Sequence, residues 1–251
     1  MTQAQDQWLK ATVVSKVHRT NNLFSLRLDA PIADFKAGQY ISIGLKVDGN
    51  LIEQPYSILS APGQSPLEFF LYTNLDGELS SLLGELQPGD HATVKAQAEG
   101  GFTLDAVPSC KDLWLLATGT GVAPFLSILQ QGDVWKRFER IVLVYAVRLW
   151  EDLGYEPLIQ QWLTEHPEQF KFVPFVSREK VDNTIHGHIP ASLSNGSLER
   201  MAGIELSHDD SQLMLCGNPG MVQDAVAVLE EKGFTLNGPE QKGHITHESY
   251  W

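Results

Sequence analysis

The chain has 251 residues, 43% of them hydrophobic, with 18 lysines and arginines against 31 aspartates and glutamates, a formal net charge of −13. That is enough chain for one large domain or two small ones of ordinary globular composition, and so acidic a balance argues against a nucleic-acid partner. No run approaches the roughly 18 consecutive apolar residues of a membrane helix, and the polar start at 1–10 lacks a signal-peptide core. Two cysteines, Cys110 and Cys216, make no disulfide framework. These features describe a cytoplasmic protein with free thiols. The eight histidines are scattered, without Cys-x-x-Cys or His-Glu-x-x-His, so no metal or iron–sulfur site is expected.

Residues 12–17 and 23–28 alternate apolar and polar side chains on either side of Thr20-Asn-Asn22, the pattern of a hairpin. Further strands are predicted at 40–45, 55–59, 67–72 and 91–96, bounded by Gly38, Ala61-Pro-Gly63 and Pro88-Gly-Asp90. One short helix interrupts them near 80–86. Six short strands at this spacing predict a small antiparallel barrel or sandwich. The pattern changes after Gly100-Gly101. Apolar strand runs at 113–117, 141–145, 172–176 and 213–216 alternate with helical patterns at 122–131, 156–166 and 219–232. In the last helix Met221, Val222, Ala225, Val226 and Leu229 share one face, and Pro219 occupies a first position where its missing N–H costs nothing. Strands alternating with helices predict a parallel sheet with right-handed crossovers. The chain therefore reads as a two-domain β + α/β protein with its boundary near 99–108.

The run 113–117 ends in Thr118-Gly119-Thr120-Gly121, followed at once by a helix. Glycines let the backbone turn tightly and let a ligand approach, and the unpaired N–H groups of the helix start favour phosphate. Gly119-x-Gly121 is half of a dinucleotide fingerprint, with Pro124 where a third glycine would stand. By itself the turn fits an unliganded strand-to-helix connection equally well. In open parallel sheets ligands bind outside the carboxyl ends of the strands. Arg148, Ser177-Arg178 and Cys216-Gly-Asn-Pro219 fall at three more such ends. Two arginines there suit bidentate binding of a ribose phosphate, although either one alone also fits a solvated surface.

Gln54-Pro-Tyr-Ser57, Gly119-Thr-Gly-Val-Ala-Pro124 and Cys216-Gly-Asn-Pro219 resemble, in order and spacing, the motifs of the ferredoxin–NADP reductases, most closely the bacterial flavodoxin/ferredoxin–NADP reductases. The resemblance runs from 35–39 to Tyr250-Trp251. It implies an antiparallel Greek-key FAD-binding barrel over 1–100, a linker at 101–107, and a parallel-sheet NADP-binding domain over 108–251 whose C-terminal tail returns to the flavin. It also implies residue roles. Tyr56 would lay its ring on the flavin and Ser57 would hydrogen-bond flavin N5, with Gln54 and Pro55 in the same strand. Gly77, Leu79, Ser80 and Ser81 would hold the flavin pyrophosphate. Thr118, Gly119, Thr120 and Gly121 would line the flavin–nicotinamide region, with Gly217 and Asn218. Arg148, Ser177, Arg178 and His188 match the pocket for the 2′-phosphate of NADP. Cys216 would stand beside the nicotinamide and Glu248 would be a proton donor. Trp251 would stack on the flavin adenine and Tyr250 would help cover the isoalloxazine.

Two positions depart from the family pattern. Gln54 stands where an arginine usually neutralises the flavin pyrophosphate, and His188 stands where close relatives often carry an arginine. A histidine is cationic only in acid, so the second departure implies a reduced preference for NADP over NAD. The activity implied is electron transfer between NADPH and a one-electron carrier, ferredoxin or flavodoxin, by hydride transfer to or from flavin N5, in a monomer that meets its carrier transiently. Lys10, Lys16, Arg19, Arg27 and Lys36 would form a basic docking patch if they share a face. The alternatives are an NAD(P)H-dependent flavin reductase or oxygenase reductase component, and a non-catalytic redox-sensing flavin-binding module.

Overall fold

The structure, a computed structural model, describes residues 7–73, 78–238 and 241–249. The first sheet is built from β1 (Trp8–His18), β2 (Leu23–Asp29), β3 (Tyr40–Val47), β4 (Asn50–Ser57), β5 (Leu67–Tyr72) and β6 (His91–Lys95), with α1 (Glu78–Glu85) between β5 and β6. Its order is β4-β3-β6-β1-β2-β5 and every pair is antiparallel. Alternating apolar side chains, among them Ala11, Phe24, Leu26, Ile41, Ile43 and Phe69, meet inside, and Leu79 and Leu83 of α1 join them. Beyond β4 the Leu59 N–H donates to the Glu68 carbonyl on β5 at 2.8 Å, which brings the two edge strands together and closes the barrel.

Two local devices shape this barrel. Asp48 and Gly49 both have positive φ, 50° and 85°, between β3 and β4. A tight turn of that hand matches the twist of the strands it joins. The strand predicted at 55–59 therefore begins earlier, at Asn50, and ends at Ser57. In β1 the pairing slips between Val13 and Ser15. An extra residue swaps the faces of everything beyond it. Before the bulge Val13 faces the core opposite Leu28. After it Lys16 stands opposite the core residue Leu26, and Ser15 stands opposite the exposed Arg27.

The second sheet is wholly parallel. Its elements are β7 (Asp112–Thr118), α2 (Ala123–Gln131), α3 (Val134–Arg137), β8 (Arg140–Val147), α4 (Glu156–Glu165), β9 (Phe170–Val176), β10 (Ile185–His186), α5 (Ile189–Asn195), α6 (Ser197–Ala202), β11 (Ser211–Gly217), α7 (Pro219–Glu231) and β12 (Ile245–Ser249). The strand order is β10-β9-β8-β7-β11-β12. β7 and β11 are buried along nearly their whole length, as expected of strands covered on both faces. At the amino ends of β7 and β8 Arg140 forms a two-bond ion pair with the fully buried Asp112, both contacts 2.6 Å. Five elements go beyond the predicted set: α3, β10, α5, α6 and β12. Each is short. β12 is an edge strand whose Thr246, His247, Glu248 and Ser249 lack the apolar run that marks the central strands.

The contacts of the chain divide it into two units, Met1–Thr103 with Ala123–Gln131, and Leu104–Val122 with Gly132–Trp251. Helix α2 thus follows a strand of the second sheet but groups with the barrel. Its Ser127 hydroxyl donates to the Ser60 carbonyl at 2.8 Å and its Gln130 amide to the Leu59 carbonyl at 2.9 Å. The rings of Phe125 and Phe102 lie 5.7 Å apart. Gly38, at φ 99°, turns its bare α-carbon toward the Phe102 carbonyl, leaving no room for a side chain.

Candidate functional site

In the barrel the candidate residues lie on β4. It is an edge strand, where Pro55 removes no ladder bond that the sheet needs. Exposure falls along the strand: Gln54 and Pro55 are exposed, Tyr56 is half-buried and Ser57 is buried. The Tyr56 hydroxyl donates to Gln54 Oε1 at 3.1 Å, and burial pushes the phenol above its ordinary pKa. This occupies the amide oxygen of Gln54 and leaves its NH₂ group as a neutral donor. The residues just after Ser57 are tied down from several sides. Ile58 N–H donates to the Gln39 carbonyl at 3.0 Å, and Ser60 Oγ accepts the Glu68 N–H at 3.1 Å. With the α2 bonds to Leu59 and Ser60, the Ser57 hydroxyl stands on a fixed strand end, the support a reacting group needs.

On α1, Ser80 is buried and Ser81 half-buried. Leu79 packs its side chain in the barrel core, so its backbone is the part that can meet a ligand. Helical spacing explains this, because Leu79 and Leu83 at i and i+4 form the apolar face of α1. Gly77, Tyr250 and Trp251 lie outside the described residues.

In the second unit two strand-to-helix turns interlock. A β-carbon on Gly121 would stand 2.6 Å from Gly217 Cα and 2.7 Å from the Cys216 carbonyl oxygen. One on Gly217, at φ 138°, would strike Thr118 Oγ1. That same Oγ1 accepts the Asn218 N–H at 2.9 Å, and the Asn218 side chain accepts the Met221 N–H at 3.2 Å, capping α7. Thr118 is thus a clamp between the turns. Gly119 differs: at φ 54° it faces open space, and an added β-carbon would meet nothing within 4 Å. The turn therefore closes on one side and opens on the other, beside the half-buried Thr120.

Cys216 is fully buried and in register with Ala117 on one side and Glu248 on the other. Glu248 Oε2 is buried without a hydrogen-bond partner among the described residues. Loss of hydration disfavours its charged form, pushing its pKa from 4.5 up to about 7. A carboxyl group so placed exchanges a proton near neutral pH.

The ends of β8 and β9 carry Arg148 and Arg178, both exposed. The Arg178 N–H donates to the Arg148 carbonyl at 2.9 Å, and Ser177 N–H to that of Val147 at 3.1 Å. Among the described residues neither guanidinium makes a hydrogen bond or ion pair, unlike Arg140 or Arg27. His188, exposed, is the residue just before α5, two positions beyond β10. Sequence reasoning missed the parts that brace this edge. His186 Nδ1 lies 3.1 and 3.0 Å from the Val176 and Glu179 carbonyl oxygens, and Glu179 Oε1 accepts the Trp150 N–H at 2.6 Å. Adjacency to Arg178 and Arg148 was the only local signal for these residues.

The five basic residues expected to form a patch do not share one face. The bulge in β1 sends Lys16 to the side where its ammonium donates to the Gly84 carbonyl on α1. Arg27 is bound to Glu68 at 2.9 Å, and Arg19 Nε donates to Ser25 Oγ at 3.4 Å on the same outer face. Lys10 is exposed before the bulge.

Residues 9–102 match the model of the oxidoreductase FAD-binding domain and residues 115–227 that of the oxidoreductase NAD-binding domain. The chain is 42% identical to the flavodoxin/ferredoxin–NADP reductase of Buchnera aphidicola subsp. Schizaphis graminum, and 41% identical to that of Escherichia coli strain K12. Each match covers 97% of this chain and 99% of the relative. A solved structure of a ferredoxin NADP+ reductase from Neisseria gonorrhoeae with bound FAD and NADP superposes with a TM-score of 0.91 at 32% identity, covering 96% of this chain and 98% of the other.

Proposed function

The chain belongs to the ferredoxin/flavodoxin–NADP reductase family, and on that premise we propose that it moves electrons between NADPH and a ferredoxin or flavodoxin through bound FAD. The observation that carries this reading is the carboxyl edge of the second sheet. There an interlocked glycine turn with one open side stands in the same sheet as two arginines whose charges meet no counter-charge among the described residues. The residues fit both groups. Gln54 and Ser57 offer donors on a fixed strand, and Glu248 holds an orphaned buried oxygen. The barrel unit takes the flavin and the parallel-sheet unit takes the dinucleotide.

When bound, FAD and NADPH would supply the redox chemistry, a two-electron hydride exchange between nicotinamide and flavin, with the electrons passed one at a time to the carrier and the proton released. The chain's own residues orient and protonate. Tyr56 offers an apolar ring as a stacking surface, with its hydroxyl turned to Gln54. Ser57 Oγ is the donor for flavin N5. Gln54 replaces a charged pyrophosphate ligand with a neutral one, which weakens FAD binding. Cys216 is a small buried wall beside the nicotinamide. Glu248, raised by burial to about 7, can hold a proton on its carboxyl group and release it near neutral pH. Arg148 and Arg178 clamp the 2′-phosphate, with His188 as a lesser contributor.

The carrier meets a net acidic protein, so the encounter depends on local basic groups rather than on net charge. Such groups steer an acidic partner and lose strength with salt. The complex is transient, the reductase monomeric and cytoplasmic. No helix among the described residues is long and apolar enough to cross a membrane.

The test is an anaerobic titration of the FAD-loaded protein with NADPH and separately with NADH, followed by addition of ferredoxin or flavodoxin. Rapid bleaching of the flavin band by NADPH and its return on adding a carrier are expected. A flavin band that NADPH leaves unchanged would end the reductase reading.

A further inference from the structure

Strand β12 carries Glu248 to the carboxyl end of β11, yet little in its own residues fixes where it sits. Ile245 is its one buried side chain, and Thr246, His247, Glu248 and Ser249 alternate half-buried and exposed without an apolar partner among them. A strand with so small an apolar face has a weakly specified register, and a slip of one residue turns every side chain to the other face. Such a slip would carry Glu248 away from Cys216, with which it is in register. The ladder to β11 runs from backbone to backbone, and backbone groups do not tell one side chain from the next. On its other side β12 meets 235–238, through a bridge between Leu236 and Ile245. There one side chain reads the strand.

The Asn237 backbone N–H donates to the Ile245 carbonyl at 2.7 Å. Its side-chain Nδ2 donates to Thr246 Oγ1 at 3.0 Å and to the Ala106 carbonyl at 2.7 Å, and its Oδ1 accepts the Gly243 N–H at 3.2 Å. Both amide hydrogens and the amide oxygen are thus used. The amide fits one way round: turned over, its oxygen would face the Ala106 carbonyl and its NH₂ the Gly243 N–H. Ala106 and Gly243 hold it to backbone outside β12, so it does not follow the strand. The bond to Thr246 Oγ1 is the one that depends on a β12 side chain, and a slipped strand would turn that hydroxyl away. Resting on the reading of Glu248 as the proton-holding group, we propose that Asn237 is a positioning residue. It reads Thr246, sets the register of β12 and so keeps the Glu248 carboxyl group buried in register with Cys216. Burial is what raises this carboxyl from 4.5 to about 7, so its titration reports the placement of the strand. Cys216 on β11 stands beside it, and His247, the other titratable group of β12, points to the opposite face.

The experiment follows the glutamate side-chain carboxyl signals of the isotope-labelled, FAD-loaded protein by NMR as pH is varied, with Glu248→Gln assigning the Glu248 signal. Wild type should titrate there near 7, and Asn237→Ala at about 6 or below, on the way to 4.5. Thr246→Val removes the hydroxyl that Asn237 reads and should move the titration in the same direction, while Thr246→Ser keeps a hydroxyl and should leave it near 7. The pH midpoint of NADPH-driven carrier reduction should move with the signal. A Glu248 titration unmoved in both Asn237→Ala and Thr246→Val overturns the proposal. Equal movement in Thr246→Val and Thr246→Ser also overturns it, since bulk rather than the hydrogen bond would then set the strand. If the signal moves while carrier reduction keeps its wild-type pH profile in Asn237→Ala and Glu248→Gln alike, Asn237 still sets the strand and the proton-holding role of Glu248 falls.

Discussion

The two units build their candidate sites in opposite ways. In the barrel the reacting groups are strand side chains. Gln54, Tyr56 and Ser57 ride an edge strand, and Ser57 is held by bonds from Gln39, Glu68 and α2 to the residues just beyond it. In the parallel unit the central strands are buried, and the candidate groups sit at the carboxyl ends, in the last residues of the strands and in the turns that follow. The first site is therefore rigid because its backbone is part of a ladder. The second is rigid because two turns leave each other no room, as Gly121 and Gly217 show. Substitutions should act mainly on chemistry in the first unit and mainly on backbone geometry in the second.

The largest effect expected is that of Gly217→Ala. Its β-carbon would meet Thr118 at a backbone angle that suits only glycine, costing about 3 kcal/mol. Gly119→Ala has space to spare, and only its φ is unfavourable, at about 1 kcal/mol. Denaturant unfolding of the pair checks this, and equal losses would dissolve the contrast between the closed and open sides of the turn. Next comes Ser57→Ala. Removing one hydrogen bond to a reacting centre should slow flavin reduction by about thirtyfold in stopped flow, with the melting temperature kept. A variant that melts early but reduces at the normal rate would make Ser57 a structural residue like those of the second unit.

Glu248→Gln sharpens the comparison through pH. The folded carboxyl titrates near 7 and the unfolded one at 4.5. The folded state therefore binds the proton more tightly. Its stabilising share is fully present below pH 4.5 and is lost as pH rises through 7. The neutral amide avoids that loss, so the variant should melt about 3 °C higher than wild type at pH 8 and match it at pH 4. A difference that is the same at both pH values would remove titration as the cause. The smallest effect is assigned to His188→Arg. One more exposed fixed charge should raise the kcat/KM ratio of NADPH to NADH about threefold at pH 8. Steady-state assays with both donors decide it, and an unchanged ratio would separate His188 from the phosphate pocket.

Much of this could be read without coordinates. The alternation of 23–28, the buried runs at 113–117 and 213–216, and the glycine turn after Thr118 each carry their structure in local pattern, because strand period and turn chemistry are properties of a few consecutive residues. Asp48-Gly49 is a tight turn of the same local kind, and it moves the start of β4 from the expected 55 back to Asn50. The i, i+4 spacing of Leu79 and Leu83 likewise marks both side chains for the core, where they are found.

The sequence by itself therefore determined the two-part order of the chain, the parallel and antiparallel character of its halves, and the residue types at the strand ends. Only the tertiary structure decided that α2 packs with the barrel, that a bulge in β1 splits the basic residues between two faces, and that Trp150 and Glu179 join behind the arginines. These depend on contacts between residues tens of positions apart. Periodicity reports which face a residue occupies, but not which distant segment that face will meet.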